Sequence, residues 1–461
     1  MGEVKKVTMS VGGLFVILFG SVCAGCFGME DMVGQSGPGL TLLMILVVPC
    51  IWAVPIALSC AEMGATLPVQ GGYYIWIKTA LGPFWGYCAG FWRTWIWYLN
   101  EGILLVLSME YVASFFNLSK IGYMIVVGII LGGVAYVNIV GVTAVKWVSV
   151  GFLVLIMVPF GLVCIFGLGH LNFNPIEPFF NPSNSNANNI AYAIVLGVWM
   201  YGAFEGPASY AGEVKDFQKI FPKALAVTVL AMTLTYFLPM LIGLSAVGQW
   251  EIWGLSGGDH AITAVELAKA VGGNALGMAM LISAMCSNII QVNDNMAATV
   301  RIPAIISQDG LAPGFFQKLS KKHRTPVVSI VFTCVLAFAL LLFNQISEAG
   351  FAALIEFQTF VFFATYIMLM VAMIALRIKQ PDLERPYRVP LPTWGLICYA
   401  IPVILICFYC IIFCSHAAAL GAVIFGLGAP ISYFIFKKIY GGVDGPNAVE
   451  HYEFGDIDDS M

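Results

Sequence analysis

Residues 198–213 read VWMYGAFEGPASYAGE and place a carboxylate beside a glycine–proline pair inside a long apolar run. Gly202, Gly206 and Pro207 weaken a helix here, because two lack a Cβ atom and the third lacks a backbone N–H. Glu205 lies among them, and an ionisable group in hydrocarbon costs at least ~2.5 kcal/mol, so it is retained only where it faces a cavity or a partner. A broken membrane helix with an acid at the break is a sequence pointer to a transporter's binding site.

The composition indicates an integral membrane protein. Of 461 residues, 60% are hydrophobic and 10% are charged, and the mean hydropathy is +0.90, far from the makeup of soluble domains. The sequence has no basic cluster large enough to bind nucleic acid. Its twelve cysteines lack the spacing of a zinc site. Without a metal-ligand cluster or a Ser/His/Asp set at a membrane face, an enzyme is disfavoured, and we expect no cofactor or metal.

Apolar runs of about 20 residues, the length that crosses a bilayer as a helix, predict twelve spans. An all-α membrane protein is therefore expected, with residues 1–8 and 438–461 on the same side. Residues 69–83 are expected to form a short interfacial helix between spans 2 and 3, because they carry Gly71, Gly72 and Pro83. The twelve spans cover residues 9–33, 39–66, 84–114, 121–141, 146–169, 190–212, 223–248, 273–298, 327–344, 351–376, 394–414 and 417–437.

The distribution of lysine and arginine predicts the orientation. With both termini in the cytoplasm, nineteen of the 21 basic residues lie on the cytoplasmic side and only Lys120 and Lys269 lie outside, as the positive-inside rule requires. This count places Arg93 and Arg301 near the cytoplasmic ends of their spans. The acidic tail 438–461 is expected to be disordered. We expect a multi-pass protein of the plasma membrane.

The positions of two breaks indicate an inverted repeat. Span 1 is interrupted at residues 21–28, SVCAGCFG, and span 6 at residues 201–207. Five spans separate the breaks, and an odd number of spans per repeat inserts the second copy upside down. Residues 9–169 would form the first repeat and residues 190–376 the second. Spans 11 and 12, residues 394–437, are then additional.

Carboxylates inside the spans carry most of the chemical information. Because basic groups at comparable depth look nearly absent, the interior is expected to be acidic. Unpaired acids in low dielectric hold protons or wait for a cation, which points to organic cations that move with protons. Near the cytoplasmic ends, Glu62 and Glu213 also fit gate or packing roles. The acids are Glu62, Glu101, Glu110, Glu205, Glu213, Asp294 and Glu356.

Three further features bear on the substrate. Glu101 and Glu110 lie nine residues apart, about 900° around a helix, so they face opposite sides and cannot share a site. Free N–H groups near Gly25 and Gly28 would attract a substrate carboxylate, whereas unwound carbonyls would hold an ammonium group, and the sequence leaves both open. Aromatic side chains near the expected site suit cation–π contact with an alkylammonium: Trp95, Trp97, Tyr98, Trp199, Tyr201 and Phe204.

Several segments resemble the amino acid–polyamine–organocation superfamily. They are FGMEDMV in span 1, AEMGATLPVQGGYYIWIKTALGPFWGYCAGFW across spans 2 and 3, AGEVKDFQKIFPKAL after span 6, SQDGLAP and KHRTPVVSIVF before span 9, and RIKQPDLERPYRVPL after span 10. The resemblance extends over residues 11–437 and is strongest to the polyamine-uptake and L-type amino-acid branch of plants and trypanosomatids. It implies a LeuT-like fold of twelve helices, a 5+5 inverted repeat plus two, with substrate held at the breaks in spans 1 and 6.

The resemblance also implies a site. Glu205 would hold a substrate amine, and Trp199 would stand where related exchangers have a gating aromatic. Glu62, Glu101 and Glu205 are the candidates for proton coupling, because span 5 has no lysine in its middle. The expected substrate-binding residues are Cys23, Ala24, Gly25, Cys26, Asn100, Glu101, Trp199, Tyr201, Gly202, Phe204 and Glu205.

The sequence thus predicts a secondary active transporter that imports polyamines, such as putrescine or spermidine, by proton symport through alternating access. The alternative is a cationic or neutral amino-acid permease or exchanger of the same fold. Sodium, for which Ser283, Ser287 and Asn288 are candidate ligands, is the weaker choice of coupling ion. The expected partners are the small-molecule substrate and the lipid bilayer.

Overall fold

The computed structural model describes residues 6–23, 25–254, 261–346, 356–412 and 416–443. Two predictions fall wholly or largely outside these residues: the role of Ala24 and the disorder of the tail after residue 443. Within the described residues the chain is helical, and two isolated bridges, Val7 with Val214 and Trp253 with Ile262, are its strand-like pairings.

The helices follow the chain in this order: α1 (Val11–Val22), α2 (Met29–Ser36), α3 (Pro38–Val48), α4 (Val54–Thr66), α5 (Gly72–Leu81), α6 (Pro83–Phe116), α7 (Lys120–Val140), α8 (Val142–Gly167), α9 (Asn186–Met200), α10 (Phe217–Ala246), α11 (Ala264–Thr299), α12 (Ile302–Gln308), α13 (Val327–Ile346), α14 (Thr359–Lys379), α15 (Thr393–Ile412) and α16 (His416–Tyr440). A π-helical turn, Pro49–Ala53, joins α3 to α4. A 3₁₀ helix, Gly206–Glu213, follows α9.

These helices confirm an all-α membrane protein. In the described residues, nine helical stretches are long and apolar enough to cross a membrane, and they correspond to expected spans 2, 4, 5 and 7 to 12. The other three expected spans are the two broken ones and α6, which has 34 residues and carries Arg93, Glu101 and Glu110. The total of twelve and the inverted repeat stay predictions.

The break in span 1 lies where the small residues predict it. Helix α1 ends at Val22 and α2 begins at Met29. Between them Gly25 and Gly28 have φ of 107° and 89°, in the left-handed region that glycine occupies at no steric cost. The sequence therefore interrupts this helix through its backbone rather than through a proline.

The break in span 6 is also confirmed, with a different form on its far side. Helix α9 ends at Met200, and the chain continues not as an α-helix but as the Gly206–Glu213 3₁₀ helix. Ala203 has φ of 73°, a conformation that costs an L-residue about 1–2 kcal/mol. Its backbone N–H donates to the Tyr366 hydroxyl at 2.8 Å, which helps to hold this turn in place.

The two broken segments lie at the centre of the bundle. Helix α1 packs against α8, α10 and α11, and the Gly206–Glu213 helix packs against α5 and α11. Large apolar side chains are exposed on the outer helices, from Leu43 on α3 to Ile439 on α16. An exposed apolar surface of this extent is expected where the solvent is lipid.

Candidate functional site

Glu205 is the last residue of the break in span 6, directly before the Gly206–Glu213 helix, and it is buried against Arg93. Arg93 Nη2 lies 2.5 Å from Glu205 Oε1, and both side chains are 2% exposed. Since α6 begins at Pro83, a rise of 1.5 Å per residue puts Arg93 about 15 Å from the start of the helix, at the level of the span 6 break. The expectation that Arg93 lies near the cytoplasmic end is therefore wrong, and so is that of an acid without a basic group at its depth.

The Arg93–Glu205 contact is a charge contact that lacks hydrogen bonds. Within the described residues, Arg93 Nη2 and both carboxylate oxygens of Glu205 have no partner with hydrogen-bond geometry. The guanidinium instead lies over the Trp97 ring, with Cζ 4.5 Å from the ring centroid. A cation–π contact of this kind stabilises a desolvated cation by about 0.5–2 kcal/mol, so Trp97 helps to keep Arg93 in place.

Two tyrosines and a cysteine lie near this pair. Tyr73, Tyr366 and Cys60 are all within electrostatic range of Arg93 and Glu205. Tyr366 binds the break through the Ala203 N–H, and the Tyr73 hydroxyl donates to the Thr365 carbonyl at 2.8 Å. The sequence analysis missed these residues, because nothing in an apolar span tells which tyrosine faces a break in another span.

A second group of carboxylates lies on α6, eight residues beyond Arg93, and on α11. Glu101 is 0% exposed, and neither of its carboxylate oxygens has a hydrogen-bond partner among the described residues. Asp294 Oδ1 accepts hydrogen bonds from Ser149 Oγ at 2.5 Å and from Asn293 Nδ2 at 2.9 Å, while Oδ2 lacks a partner there. The two carboxylates are close enough for their charges to repel each other.

Helix α1 approaches Asp294 closely. A Cβ atom at Gly20 would collide with Asp294 Oδ2, so only glycine lets this turn of α1 lie beside the carboxylate. At the next residue, Ser21 Oγ donates to Asn295 Oδ1 at 2.5 Å. The start of the span 1 break is therefore attached to the part of α11 that carries Asp294.

The far side of the span 1 break is occupied by one of the chain's own carboxylates. Gly28 N–H donates to Glu30 Oε2 at 2.7 Å, and Glu30 Oε1 accepts the Ala264 N–H at 2.8 Å. An anion at a helix start interacts favourably with the free N–H groups and the helix dipole. Glu30 already fills that role at the start of α2.

The other expected site residues divide into buried and exposed ones. Cys23 and Cys26 are buried, and Cys26 Sγ donates to the Tyr236 carbonyl at 3.6 Å. The Tyr201 hydroxyl donates to the Ile45 carbonyl at 3.1 Å, so this tyrosine is held in the packing against α3. Phe204 is fully buried.

Trp199 and Asn100 are less enclosed than expected of residues around a substrate. Trp199 is 42% exposed, whereas its neighbours Val198 and Met200 are buried, so its ring points out of the bundle and not toward the Arg93–Glu205 pair. Asn100 is half-buried. Glu110 is exposed and Glu101 is buried, which agrees with the opposite faces expected for them. A gating role for Trp199 stays a prediction.

Glu62 is held by several donors. Arg377 contacts both of its oxygens, with Nε 2.7 Å from Oε1 and Nη2 2.5 Å from Oε2. The Val389 N–H donates to Oε2 at 2.7 Å, and Arg385 Nε lies 3.4 Å from Oε1. The expectation of an unpaired acid is wrong for Glu62, because span 10 ends with Arg377 at the same depth.

Glu213 has a similar environment. Arg301 contacts both of its oxygens, with Nε 2.5 Å from Oε1 and Nη2 2.7 Å from Oε2. Gln70 Nε2 donates to Oε1 at 2.9 Å, and Arg301 Nη1 also donates to the Ala297 carbonyl. Paired with Arg301, Glu213 joins the end of the Gly206–Glu213 helix to the end of α11.

Comparison with protein families identifies the family of the chain. The model of the amino acid permease family matches residues 7–435. The chain belongs to this family. The permease is therefore a membrane transporter of the amino acid–polyamine–organocation superfamily rather than an enzyme, as the sequence predicts.

Individual relatives of the permease carry two kinds of name. It is 31% identical over 415 residues to a probable polyamine transporter of Arabidopsis thaliana, covering 88% of this chain and 79% of the relative. It is 30% identical over 416 residues to the polyamine transporter PUT1 of Oryza sativa, covering 86% and 72%. It is 24% identical over 403 residues to the serine/threonine exchanger SteT of Bacillus subtilis, covering 84% and 88%.

Proposed function

We propose that this permease imports polyamines of the putrescine and spermidine class by proton symport through alternating access. The observation that carries the proposal is the charge of the central cluster, which we define as Glu101, Glu205, Asp294 and Arg93. All four side chains are buried, with at most 2% exposed, and the set contains three acids and one base. When ionised, the cluster has an excess of two negative charges, which a diamine, or one amine and one proton, would neutralise.

The start of α2 supports a substrate without a carboxylate. An amino acid would place its carboxylate at the free N–H groups of a broken helix. Here Glu30 accepts the Gly28 N–H at 2.7 Å and is only 6% exposed. A substrate carboxylate would have to displace Glu30 and meet its charge, whereas a diamine needs nothing from this helix end.

The relatives support the same substrate class. Both plant relatives described above are named as polyamine transporters, and each aligns with more than four fifths of this chain. On the strength of these alignments over most of the chain, we extend polyamine transport to this permease.

Glu101 is the group that we assign to the proton. Of the three candidates, Glu62 is held by Arg377 and Arg385, and Glu205 has Arg93 beside it. Glu101 has no such partner among the described residues, and a buried carboxylate without a cation favours its protonated form. Its neighbour Asp294 is the second candidate. Sodium stays the weaker choice of coupling ion.

One observation favours the alternative, an amino-acid permease or exchanger. Arg93 and Glu205 put a cation and an anion 2.5 Å apart at the break, and a zwitterion could bind between them. SteT, named a serine/threonine exchanger, aligns with 84% of the chain. This reading requires Arg93 to hold the substrate carboxylate.

Uptake by the purified permease in proteoliposomes tests these readings. Labelled putrescine should enter faster with an inward proton gradient than without one, and spermidine should compete for it. Arginine, leucine and serine are the competitors that matter. Stronger competition by any of these than by spermidine would overturn the polyamine proposal in favour of the amino-acid alternative.

Location and orientation complete the proposal. We place the permease in the plasma membrane with both termini in the cytoplasm. The support is the bias of basic residues, because eighteen of 21 lie on one side once Arg93, which is buried beside Glu205, is left out, and loops rich in lysine and arginine stay cytoplasmic. In this orientation the Glu62–Arg377 and Glu213–Arg301 pairs lie on the cytoplasmic side of the central cluster.

A further inference from the structure

We infer that Arg93 is an internal counterion that competes with the substrate amine for Glu205 and neutralises Glu205 while the unloaded carrier returns across the membrane. The inference rests on the proposed function only in requiring that the substrate present an amine. It assigns a role in specificity and turnover to a residue outside the expected site.

The first argument is chemical equivalence. A guanidinium at 2.5 Å from a buried carboxylate supplies the charge that an alkylammonium would supply. It also lies over Trp97 at 4.5 Å, and this cation–π contact keeps it beside Glu205. Arg93 thus makes the charge contact with Glu205 that a substrate amine would make.

The second argument is that the contact can open at little expense in hydrogen bonds. Neither Arg93 Nη2 nor the oxygens of Glu205 form one within the described residues. By contrast, Arg301 donates to both oxygens of Glu213 and to the Ala297 carbonyl. In an ion pair that stays closed, the donors and acceptors form hydrogen bonds. In the Arg93–Glu205 pair, Arg93 Nη2 and both Glu205 oxygens form none among the described residues.

The third argument concerns the elements that carry the two groups. Arg93 is on α6, a continuous helix of 34 residues, whereas Glu205 is at the end of the span 6 break. A shift of the broken segment relative to α6 would therefore separate the two charges. When they separate, Glu205 becomes available to an amine that enters the site.

Two consequences follow for transport. A substrate must displace Arg93, so its apparent dissociation constant equals the intrinsic one divided by the fraction of carrier in which Glu205 is unpaired. An unloaded carrier without Arg93 would have to close over an isolated carboxylate, and burying an uncompensated charge is strongly unfavourable. Net uptake needs the unloaded return step, whereas exchange of one substrate for another does not.

The test is Arg93→Gln in the full-length chain, reconstituted in proteoliposomes and also assayed for putrescine binding in detergent. Because the competitor is gone, the dissociation constant for putrescine should fall by about tenfold. Putrescine/putrescine exchange should persist, while net uptake falls about tenfold or more relative to exchange. Arg93→Lys keeps a cation in place and should restore net uptake.

Two control variants separate this role from a structural one. Arg301→Gln removes a buried arginine from a hydrogen-bonded pair and should impair exchange and net uptake together, with no gain in affinity. The double variant Arg93→Gln/Glu205→Gln leaves no unpaired charge at the span 6 break and should therefore fold. It should lose putrescine affinity, because Glu205 no longer carries a charge. Monodispersity in size-exclusion chromatography reports folding for every variant.

Four results would overturn the inference, the proposed function or both. Weaker putrescine binding in Arg93→Gln, or parallel loss of exchange and net uptake while Arg93→Gln/Glu205→Gln folds, would overturn the competing-counterion role. Binding of serine or leucine by the wild type that disappears in Arg93→Gln would show that Arg93 holds a carboxylate, and would overturn both. A wild type inactive on putrescine would overturn only the polyamine proposal, and the variants would then be compared with the amine that wins the competition panel.

Discussion

The buried ion pairs of the permease are of two kinds. Away from the break, Glu62 and Glu213 are each contacted on both oxygens by one arginine and receive a further donor from Val389 or Gln70. At the break in span 6, Glu205 has a single short contact to Arg93 without hydrogen bonds in the described residues. All three carboxylates are nearly inaccessible, so burial does not distinguish them.

The number of filled donors and acceptors does distinguish them. Desolvating two charges is repaid only when good geometry and further hydrogen bonds accompany the pair, a condition that Glu62 and Glu213 meet. The Arg93–Glu205 pair leaves hydrogen-bonding capacity open. In our proposal, the Glu62 and Glu213 pairs fix the ends of helices, whereas the Arg93–Glu205 pair exchanges partners during transport.

The largest effect should come from breaking a hydrogen-bonded pair. Arg377→Gln leaves Glu62 with a buried, uncompensated charge and removes the donors to the Val389 and Leu391 carbonyls, which should lower stability by about 3–5 kcal/mol. Thermal unfolding in detergent measures this loss. Arg385→Gln is the matched control, because Arg385 Nε is 3.4 Å from Glu62 and its other donors serve nearby loop carbonyls.

The loss in Arg385→Gln should be well below that in Arg377→Gln. Arg385 approaches Glu62 to 3.4 Å, whereas Arg377 lies within 2.5–2.7 Å of both oxygens, so Arg385 contributes less to the pair. Equal losses in stability would contradict the view that the bidentate contact, rather than the positive charge alone, holds Glu62.

The next effect concerns affinity rather than stability. Glu205→Gln keeps the shape of the side chain and removes the charge that an amine would meet, and a charged hydrogen bond contributes about 1.5–3 kcal/mol. The dissociation constant for putrescine should therefore rise by about 10- to 150-fold. Glu110→Gln, at an exposed acid of α6, is the control and should leave it unchanged. Unchanged affinity in Glu205→Gln would remove Glu205 from the site.

A smaller effect is expected on coupling. Glu101→Gln cannot accept a proton, so putrescine uptake should no longer increase when the outside is made acidic, while downhill uptake continues. The measurement is the ratio of initial uptake rates with and without an inward proton gradient, which should approach unity. Asp294→Asn is measured beside it. A ratio lost only in Asp294→Asn would move the proton to Asp294.

How much of this the sequence predicts depends on whether the signal is local. Small residues at 21–28 and the glycine–proline pair beside Glu205 mark both breaks, because they act on the backbone where they stand. Arg93 was misplaced because its partner is 112 residues away along the chain and its depth depends on where α6 begins. Likewise, apolar periodicity does not reveal that Arg377 and Arg301 reach Glu62 and Glu213.

The smallest effect separates two tryptophans that the sequence treats alike. Trp97 is 5% exposed and lies under Arg93, whereas Trp199 is 42% exposed. Trp97→Leu removes about 1 kcal/mol of cation–π stabilisation from Arg93, so Glu205 should be released more readily and the KM for putrescine should fall about two- to fivefold. Trp199→Leu should leave KM unchanged. The reverse pattern would restore Trp199 as the aromatic at the substrate and would place Trp97 in ordinary packing.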